Sequence, residues 1–197
     1  MKFFLTTITL LLLNASAFCG MPNPPRLGIA LGTNGLSFFG EARISKSLSF
    51  SAGGEIVNSI SPGFYGGLGF NPKLMVFRNF FLEGALSYSY FYKAKVSYEV
   101  DNTFLTYQIG HGNYILPQLE LSWYGKKGSE IEHDQMFNFS KIHFYFGRTL
   151  FLNTVSVREE NQIYLEKQNR IMEKRFDDRF IFGFALTCTL KAFSKEK

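Results

Sequence analysis

One long stretch of alternation limits what this chain can fold into. From Phe80 to Val100 the even positions are mostly apolar or aromatic, whereas the odd positions carry most of the polar and charged side chains. A period of two sustained over this length indicates a β-strand with one apolar and one polar face, because a helix would spread these residues around its axis. The segment from Phe180 to Leu190 repeats the pattern. The chain is therefore predicted to be an all-β protein.

The same template divides the chain into strands separated by turn signals. Eight segments result, at 27–32, 36–44, 48–57, 64–76, 80–100, 103–124, 137–152 and 178–193. Ten strands result instead if residues 110–113 form a turn. A polar connection spans 125–136, and the highly charged stretch 158–175 is predicted to be a solvated loop, with a short surface helix as the alternative.

The direction of the apolar face separates two kinds of barrel. A soluble ligand-carrying barrel turns apolar side chains inward, and a membrane barrel turns them outward. The apolar set carries no charge before Arg148, and the opposite set is rich in the small residues that a narrow eight-stranded interior needs. Aromatic residues also cluster at two levels, at Tyr88, Tyr90 and Tyr92 and at Trp123 and Tyr124, as they do at membrane interfaces. The predicted fold is an eight-stranded antiparallel up-and-down transmembrane β-barrel.

The apolar set that this prediction places in lipid runs through all parts of the chain. It comprises Leu27, Ile29, Leu36, Phe38, Leu48, Phe50, Phe64, Leu68, Phe70, Leu74, Leu82, Leu86, Leu119, Leu121, Ile142, Phe144, Phe146 and the even positions of the last strand.

The first residues have the pattern of an export signal. A basic start, an apolar run of about ten residues and the small-residue pattern ending at Ala17 predict a signal peptide over 1–17. A Pro-rich leader over 18–25 and a barrel over 26–197 follow. Acylation of Cys19 is an alternative, which the bulky Phe18 before it disfavours.

Charged residues on the polar face are predicted to form a network in the lumen. They are Glu41, Arg43, Glu55, Lys73, Glu83, Lys93, Glu120, Lys141, Arg179 and Lys191. Inside a narrow barrel such groups must be paired or hydrated, because an unpaired buried charge costs several kcal/mol. A pairing network that fills the interior is favoured over an ion path.

The sequence contains few candidates for catalytic or metal-binding residues. His111 is predicted to lie outward near an interface, where a lipid hydrolase would need its base, but no nucleophile lies beside it in the sequence. His133 falls in a polar loop and His143 faces the lumen beside Lys141, so the scattered histidines predict no metal site. The net charge of +5 is spread along the chain, which does not suggest nucleic-acid binding. No catalytic residue and no cofactor is predicted.

Two segments carry a family resemblance. The strand Tyr114-Ile115-Leu116-Pro117-Gln118-Leu119-Glu120-Leu121, followed by Lys141-Ile142-His143-Phe144-Tyr145-Phe146-Gly147, resembles strands of the small porin-family β-barrels of Gram-negative outer membranes. The resemblance implies an outer-membrane location after export. Such chains usually end on an aromatic residue, and here Phe193 is followed by four more residues.

These observations predict a barrel with a structural or surface-interaction role and no enzymatic activity. The alternatives are a narrow passive pore for small solutes and, third, an outer-membrane lipid hydrolase. The expected partners are outer-membrane lipid and an extracellular protein or peptide at the Phe80–Tyr124 hairpin, with the barrel itself a monomer. The hairpin is long enough for half of it to project beyond the membrane, so a charge at Val96 is expected to be tolerated.

Overall fold

The computed structural model describes residues 25–45, 47–77, 80–100, 102–124, 137–160 and 166–190 of the chain. Nearly all regular structure in these residues is β-strand, as the alternating sequence predicts. The strands are β1 (Arg26–Gly32), β2 (Gly35–Arg43), β3 (Leu48–Val57), β4 (Ser61–Phe77), β5 (Phe80–Phe91), β6 (Ala94–Val100), β7 (Thr103–Ile109), β8 (Gly112–Tyr124), β9 (Phe137–Arg148), β10 (Leu150–Phe151), β11 (Val157–Glu159) and β12 (Phe180–Leu190). A helix, α1 (Glu166–Glu173), and a 3-10 turn (Lys174–Phe176) precede β12.

Eight of these strands close into a barrel by antiparallel pairing. Their order is β8, β5, β4, β3, β2, β1, β12 and β9, and the pairing of β9 with β8 completes the circle. Closure removes the exposed sheet edges, because each wall strand has a neighbour on both sides. The short β10 continues the line of β9 and pairs with β8. The predicted eight-stranded antiparallel up-and-down barrel is confirmed, and the ten-strand alternative is wrong for the barrel wall.

The two ends of the barrel differ. At one end β1 begins, β12 ends and the turn between β2 and β3 lies, and we call this the terminal end. The other end holds the short turns after β1 and β3 together with two long excursions, residues 92–111 and 152–179. We call this the cap end, because the excursions cover it.

The apolar face of the wall points outward, as predicted. Large apolar side chains stand exposed around the barrel on all eight wall strands, including Ile29, Phe38, Phe50, Leu68, Leu86, Leu119, Phe144 and Phe184. Most inward positions are small or polar, for example Ala30, Ser49, Ser89, Ser122, Ala185 and Thr187, all of them buried. The alternation inferred from sequence therefore has the orientation of a membrane barrel.

The long hairpin predicted over 80–124 leaves the barrel wall halfway along its length. The chain departs after Phe91 and rejoins the wall at Gly112, and β6, β7 and β11 form a separate three-stranded sheet in the order β11-β7-β6. Each of the two long predicted strands is thus divided. The outer half of the hairpin therefore forms a sheet of its own, and its projection beyond the membrane stays a prediction.

The separate sheet packs on a hydrophobic cluster at the cap end, which we call the cap core. It comprises Val57, Phe91, Leu105, Tyr107, Ile109, Tyr114, Leu116, Val155, Val157, Met172, Phe176 and Ile181. Val96 packs against this cluster, so the expectation that a charge there is tolerated is wrong. Ala94 and Val96, the first two even positions of β6, pack on a protein core, although they continue the stripe that faces outward in β5.

The highly charged segment 158–175 contains regular secondary structure. Its described part holds β11 and the helix α1, and Met172 of the helix is buried. Tyr107 donates a hydrogen bond of 3.0 Å from its hydroxyl to Gln168 Oε1, which ties the helix to the separate sheet. The prediction of a solvated loop is wrong for residues 166–173, which form the alternative, a short helix, and this helix covers the barrel mouth.

Several predictions concern residues outside the described part of the chain. They include the signal peptide over 1–17, most of the leader with Cys19, the connection 125–136 with His133, and the C-terminal Lys191 and Phe193. None of the described helices is long and apolar enough to cross a membrane.

Candidate functional site

A buried ion cluster occupies the lumen towards the terminal end. The Lys141 ammonium lies 2.7 Å from a Glu83 carboxylate oxygen and 3.1 Å from one of Glu120. Gln118 Nε2 donates a hydrogen bond of 2.6 Å to Glu120, and the hydroxyls of Ser122 and Tyr124 donate to Glu83. Glu83 and Lys141 are each only 3% exposed, so their charges are compensated by one another rather than by bulk water.

Cations surround one aromatic ring at the terminal end. The Lys141 ammonium lies 5.6 Å from the centroid of the Tyr124 ring, and the guanidinium carbons of Arg26 and Arg43 lie 5.5 Å and 6.0 Å from it. These distances suit attraction between a cation and the face of an aromatic ring. Arg26 also forms an ion pair of 3.4 Å with Glu41. The side chains together fill the barrel interior at this end.

Three aromatic rings line the middle of the lumen. Phe39 and Tyr65 meet edge to face with their centroids 6.2 Å apart, and Tyr145 packs near them. Phe39 lies against its cross-strand partner Gly28, where a Cβ atom would collide with the ring. The glycine therefore makes room for an aromatic side chain, in agreement with the small inward residues expected of an eight-stranded barrel.

Glu55 forms a second polar group closer to the cap end. The Tyr114 hydroxyl lies 3.0 Å and 3.1 Å from the two Glu55 carboxylate oxygens, and Asn34 Nδ2 donates a hydrogen bond of 2.6 Å to that hydroxyl. A cavity of about 100 Å³ lies between this group and the ion cluster. Its lining includes His143, whose Nδ1 is buried without a protein partner among the described residues. A polar cavity of this size suits a few ordered water molecules.

The cap core closes the lumen at the other end. Phe91, which is fully buried, stacks on Phe176 with ring centroids 5.5 Å apart and meets Phe151 edge to face at 6.2 Å. Asn58 Nδ2 donates a hydrogen bond of 2.8 Å to the Arg175 carbonyl, so a wall turn holds the end of the covering segment. An apolar layer of this kind opposes ion passage, because an ion crossing it would lose its hydration.

Polar contacts also bind the outer surface of the cap together. Lys95 Nζ lies 2.6 Å from a Glu160 carboxylate oxygen, and the Gln108 amide donates to the same oxygen. These hydrogen bonds hold the pKa of the exposed Glu160 carboxyl below its usual value.

The predicted lumen residues fall into several places. Glu41, Glu83, Glu120 and Lys141 belong to the ion cluster and its surroundings, whereas Glu55 lies apart with Tyr114. Arg43 lies beside Tyr124 at the terminal end. Arg179 lies at the cap end, where it donates a hydrogen bond of 3.1 Å to the Thr33 carbonyl and another to Asn58 Oδ1. The Lys73 side chain and Lys191 lie outside what the structure describes.

The prediction that Lys93 lies in the lumen is wrong. It is exposed in the link between β5 and β6, because the chain has already left the barrel wall after Phe91. Its position on the polar stripe therefore does not place it in the lumen.

The sequence analysis does not include several members of the lumen group, among them Tyr124 and Arg26. The prediction that Tyr124 belongs to an outer aromatic belt is wrong, because Tyr124 shares strand parity with Glu120 and Ser122 and points inward. The sequence analysis gives Arg26 no role in the lumen, although its strand parity with Gly28 and Ala30 predicts that its side chain points inward. Strand parity is the sequence signal that identifies both residues as inward-facing.

The histidines do not assemble a reactive centre in the described residues. His111 is exposed at the barrel surface and stacks on Tyr90 at a centroid distance of 6.2 Å. His143 Nε2 lies in the lumen, 3.9 Å from Glu120. Among the described residues, no three His, Cys, Asp or Glu side chains are grouped so as to hold a metal ion.

The fold and the filled lumen define a closed barrel with an apolar outer surface. No family model matches the chain, and no curated protein matches it either. Among solved structures, the chain is similar to the crystal structure of CarO from Acinetobacter baumannii, with a TM-score of 0.42 and 13% sequence identity over 85% of this chain and 97% of that one. A match at this level carries no inference about activity or partners.

Proposed function

We propose that this chain is an exported outer-membrane β-barrel protein of a Gram-negative cell envelope. The observation that carries the proposal is the belt of exposed apolar side chains on a closed antiparallel barrel with a polar interior. An apolar belt of this extent is costly in water and stable in hydrocarbon. Residues 1–17 supply the export signal that such a location requires.

The barrel has a structural or surface-interaction role rather than a transport role. The ion cluster and the Tyr124 ring fill the lumen towards the terminal end, and the cap core covers the other end. A passive pore requires a continuous hydrated path, which these two layers oppose. A lipid hydrolase is less well supported, because His111 lies stacked on Tyr90 with no nucleophile assigned to it.

The cap end faces the cell exterior in this proposal. Barrel proteins of this class carry short turns on the periplasmic side and longer loops outside. Two long excursions, of which the structure describes residues 92–100 and 102–111 and residues 152–160 and 166–179, leave the barrel at the cap end. The surface offered to extracellular proteins or peptides is therefore the separate sheet and the helix that covers the mouth.

Arginine substitutions test the membrane location. Leu86→Arg and Phe184→Arg should each lower the free energy of unfolding in bilayers by about 2–4 kcal/mol, because charge on the lipid face is costly near the midplane. Phe104→Arg is the matched control: this side chain is 64% exposed but lies on β7, outside the barrel wall. The measurement is the fraction of protein that migrates in the heat-modifiable, folded form after recovery from the outer-membrane fraction.

Unmodified protein recovered from the soluble periplasmic fraction would contradict the membrane location. So would equal folding yields for all three arginine variants.

A further inference from the structure

Strand β6 has one edge that no described strand covers. It pairs with β7 on one side and ends the order β11-β7-β6 on the other. Val100 pairs with Thr103, with two residues between them in the sequence, and strand residues that flank so short a link exchange both backbone hydrogen bonds. By the alternation of antiparallel pairs, Lys95, Ser97 and Glu99 direct their backbone N–H and C=O groups towards the uncovered edge.

The sequence of this edge is complementary to itself. If a second β6 runs antiparallel with its Ser97 opposite Ser97, each Lys95 faces a Glu99 and each Val96 faces a Tyr98. Opposite charges and aromatic with β-branched pairs are the favourable cross-strand combinations. The residues that point their backbone groups outward are also the ones that would form hydrogen-bonded pairs in this register.

Other symmetric registers are poorer. Centring the pair on Lys95 or on Glu99 places like charges directly opposite one another, which is unfavourable. Only the register centred on Ser97 pairs the whole strand, from Ala94 against Val100 to Val100 against Ala94. The Lys95 side chain is 66% exposed and Glu99 is exposed, so both reach solvent, and pairing across the edge would draw the Lys95 ammonium from its contact with Glu160.

We propose that β6 is a homodimerisation edge, at which two copies of this chain join their three-stranded sheets by antiparallel pairing centred on Ser97. This inference rests on the proposed function, since it names the partner of the projecting surface, and it replaces the expectation of a monomer. The edge is an open template for strand addition, and a two-fold axis through Ser97 makes the interface the same for both copies.

A cysteine at the two-fold axis provides the test. Ser97→Cys, in a background carrying Cys19→Ser and Cys188→Ala, should form a disulfide-linked dimer under mild oxidation in detergent micelles. Facing residues of a hydrogen-bonded antiparallel pair have Cα atoms about 5.5 Å apart, within the range that a disulfide spans. Micelles leave each barrel free to take the orientation that the strand pairing needs.

Thr106→Cys is the matched control. Thr106 lies beside Ser97 on the same sheet face, with their hydroxyl oxygens 3.0 Å apart, but it belongs to β7. Two Thr106 positions in the proposed dimer are separated by three strand spacings, or about 14 Å, which is too far for a disulfide. We expect at least about tenfold more linked dimer from the Ser97 variant than from the Thr106 variant.

Charge reversal tests the register. Lys95→Glu in the Ser97→Cys protein turns both cross-strand ion pairs into like-charge pairs and should reduce linked dimer by roughly tenfold. Adding Glu99→Lys restores opposite charges and should return the yield to within about twofold of the Ser97→Cys protein. This rescue distinguishes strand pairing from loss of the Lys95 contact with Glu160, which the second substitution does not restore.

The heat-modifiable shift of each variant reports the barrel separately from the dimer. Folded, membrane-recovered protein that gives no linked dimer at Ser97 overturns the dimer proposal and leaves the proposed function standing. Equal linkage at Ser97 and Thr106, or no rescue by Glu99→Lys, also overturns it. Failure of the unmodified protein to reach the outer membrane contradicts the proposed function instead.

Discussion

Replacing Lys141 with Met should destabilise the barrel by about 3–5 kcal/mol, because it leaves two buried carboxylates without their shared cation. Lys141 lies 2.7 Å from Glu83 and 3.1 Å from Glu120 in the lumen. The free energy of unfolding can be measured by denaturant titration in lipid vesicles, with the fluorescence of Trp123, the single tryptophan, as the signal.

Two further variants show whether the loss comes from the buried cluster. Lys95→Met removes a lysine from an exposed ion pair with Glu160 and should leave the transition midpoint almost unchanged. Glu83→Gln and Glu120→Gln, combined with Lys141→Met, remove all three charges and should recover much of the lost stability. A loss of less than about 1 kcal/mol from Lys141→Met would mean that water, not the lysine, balances the carboxylates.

Replacing Phe91 with Ala should cost about 3–5 kcal/mol of stability through a cavity in the cap core. Phe91 is fully buried, and its ring stacks on Phe176 of the covering segment. Because the ring joins the barrel wall to the cap, the variant should also make the covering segment more susceptible to limited proteolysis. Cleavage after Arg175 or Lys174, followed by mass spectrometry, reports this loosening.

Phe104→Ala is the control for the cap. Phe104 is 64% exposed on the separate sheet, so its truncation should change stability by no more than about 0.5 kcal/mol. Equal effects of the two substitutions would contradict a cap that depends on the contact between Phe91 and Phe176.

The sequence predicts the barrel well because strand alternation reports which face each residue occupies. Outward Leu86 and Phe184 and inward Glu83 and Ser122 all follow from parity. The same pattern does not report what covers an apolar face. Val96 continues the stripe of Leu86, yet it packs on the cap core, since the chain turns away from the wall between β5 and β6.

The lumen contacts were only partly predictable for a related reason. Parity places Glu83, Glu120 and Lys141 inside, but their meeting depends on the register of β5, β8 and β9. Register in a closed barrel is set by the stagger of all the strands together, which no local pattern specifies. The helix α1 was hard to predict because its residues are mostly charged or polar. Among its described side chains, Met172 is the one buried in the barrel mouth.

The central claim is that a membrane-spanning barrel has a sealed lumen, and ion flux across vesicles containing the folded protein tests it most directly. The heat-modifiable shift first establishes that the protein in the vesicles is folded and inserted. We predict that dissipation of a potassium gradient then proceeds at the rate of protein-free vesicles, because the ion cluster and the cap core interrupt any hydrated path. A steady flux that increases in proportion to the amount of inserted protein would contradict the sealed lumen.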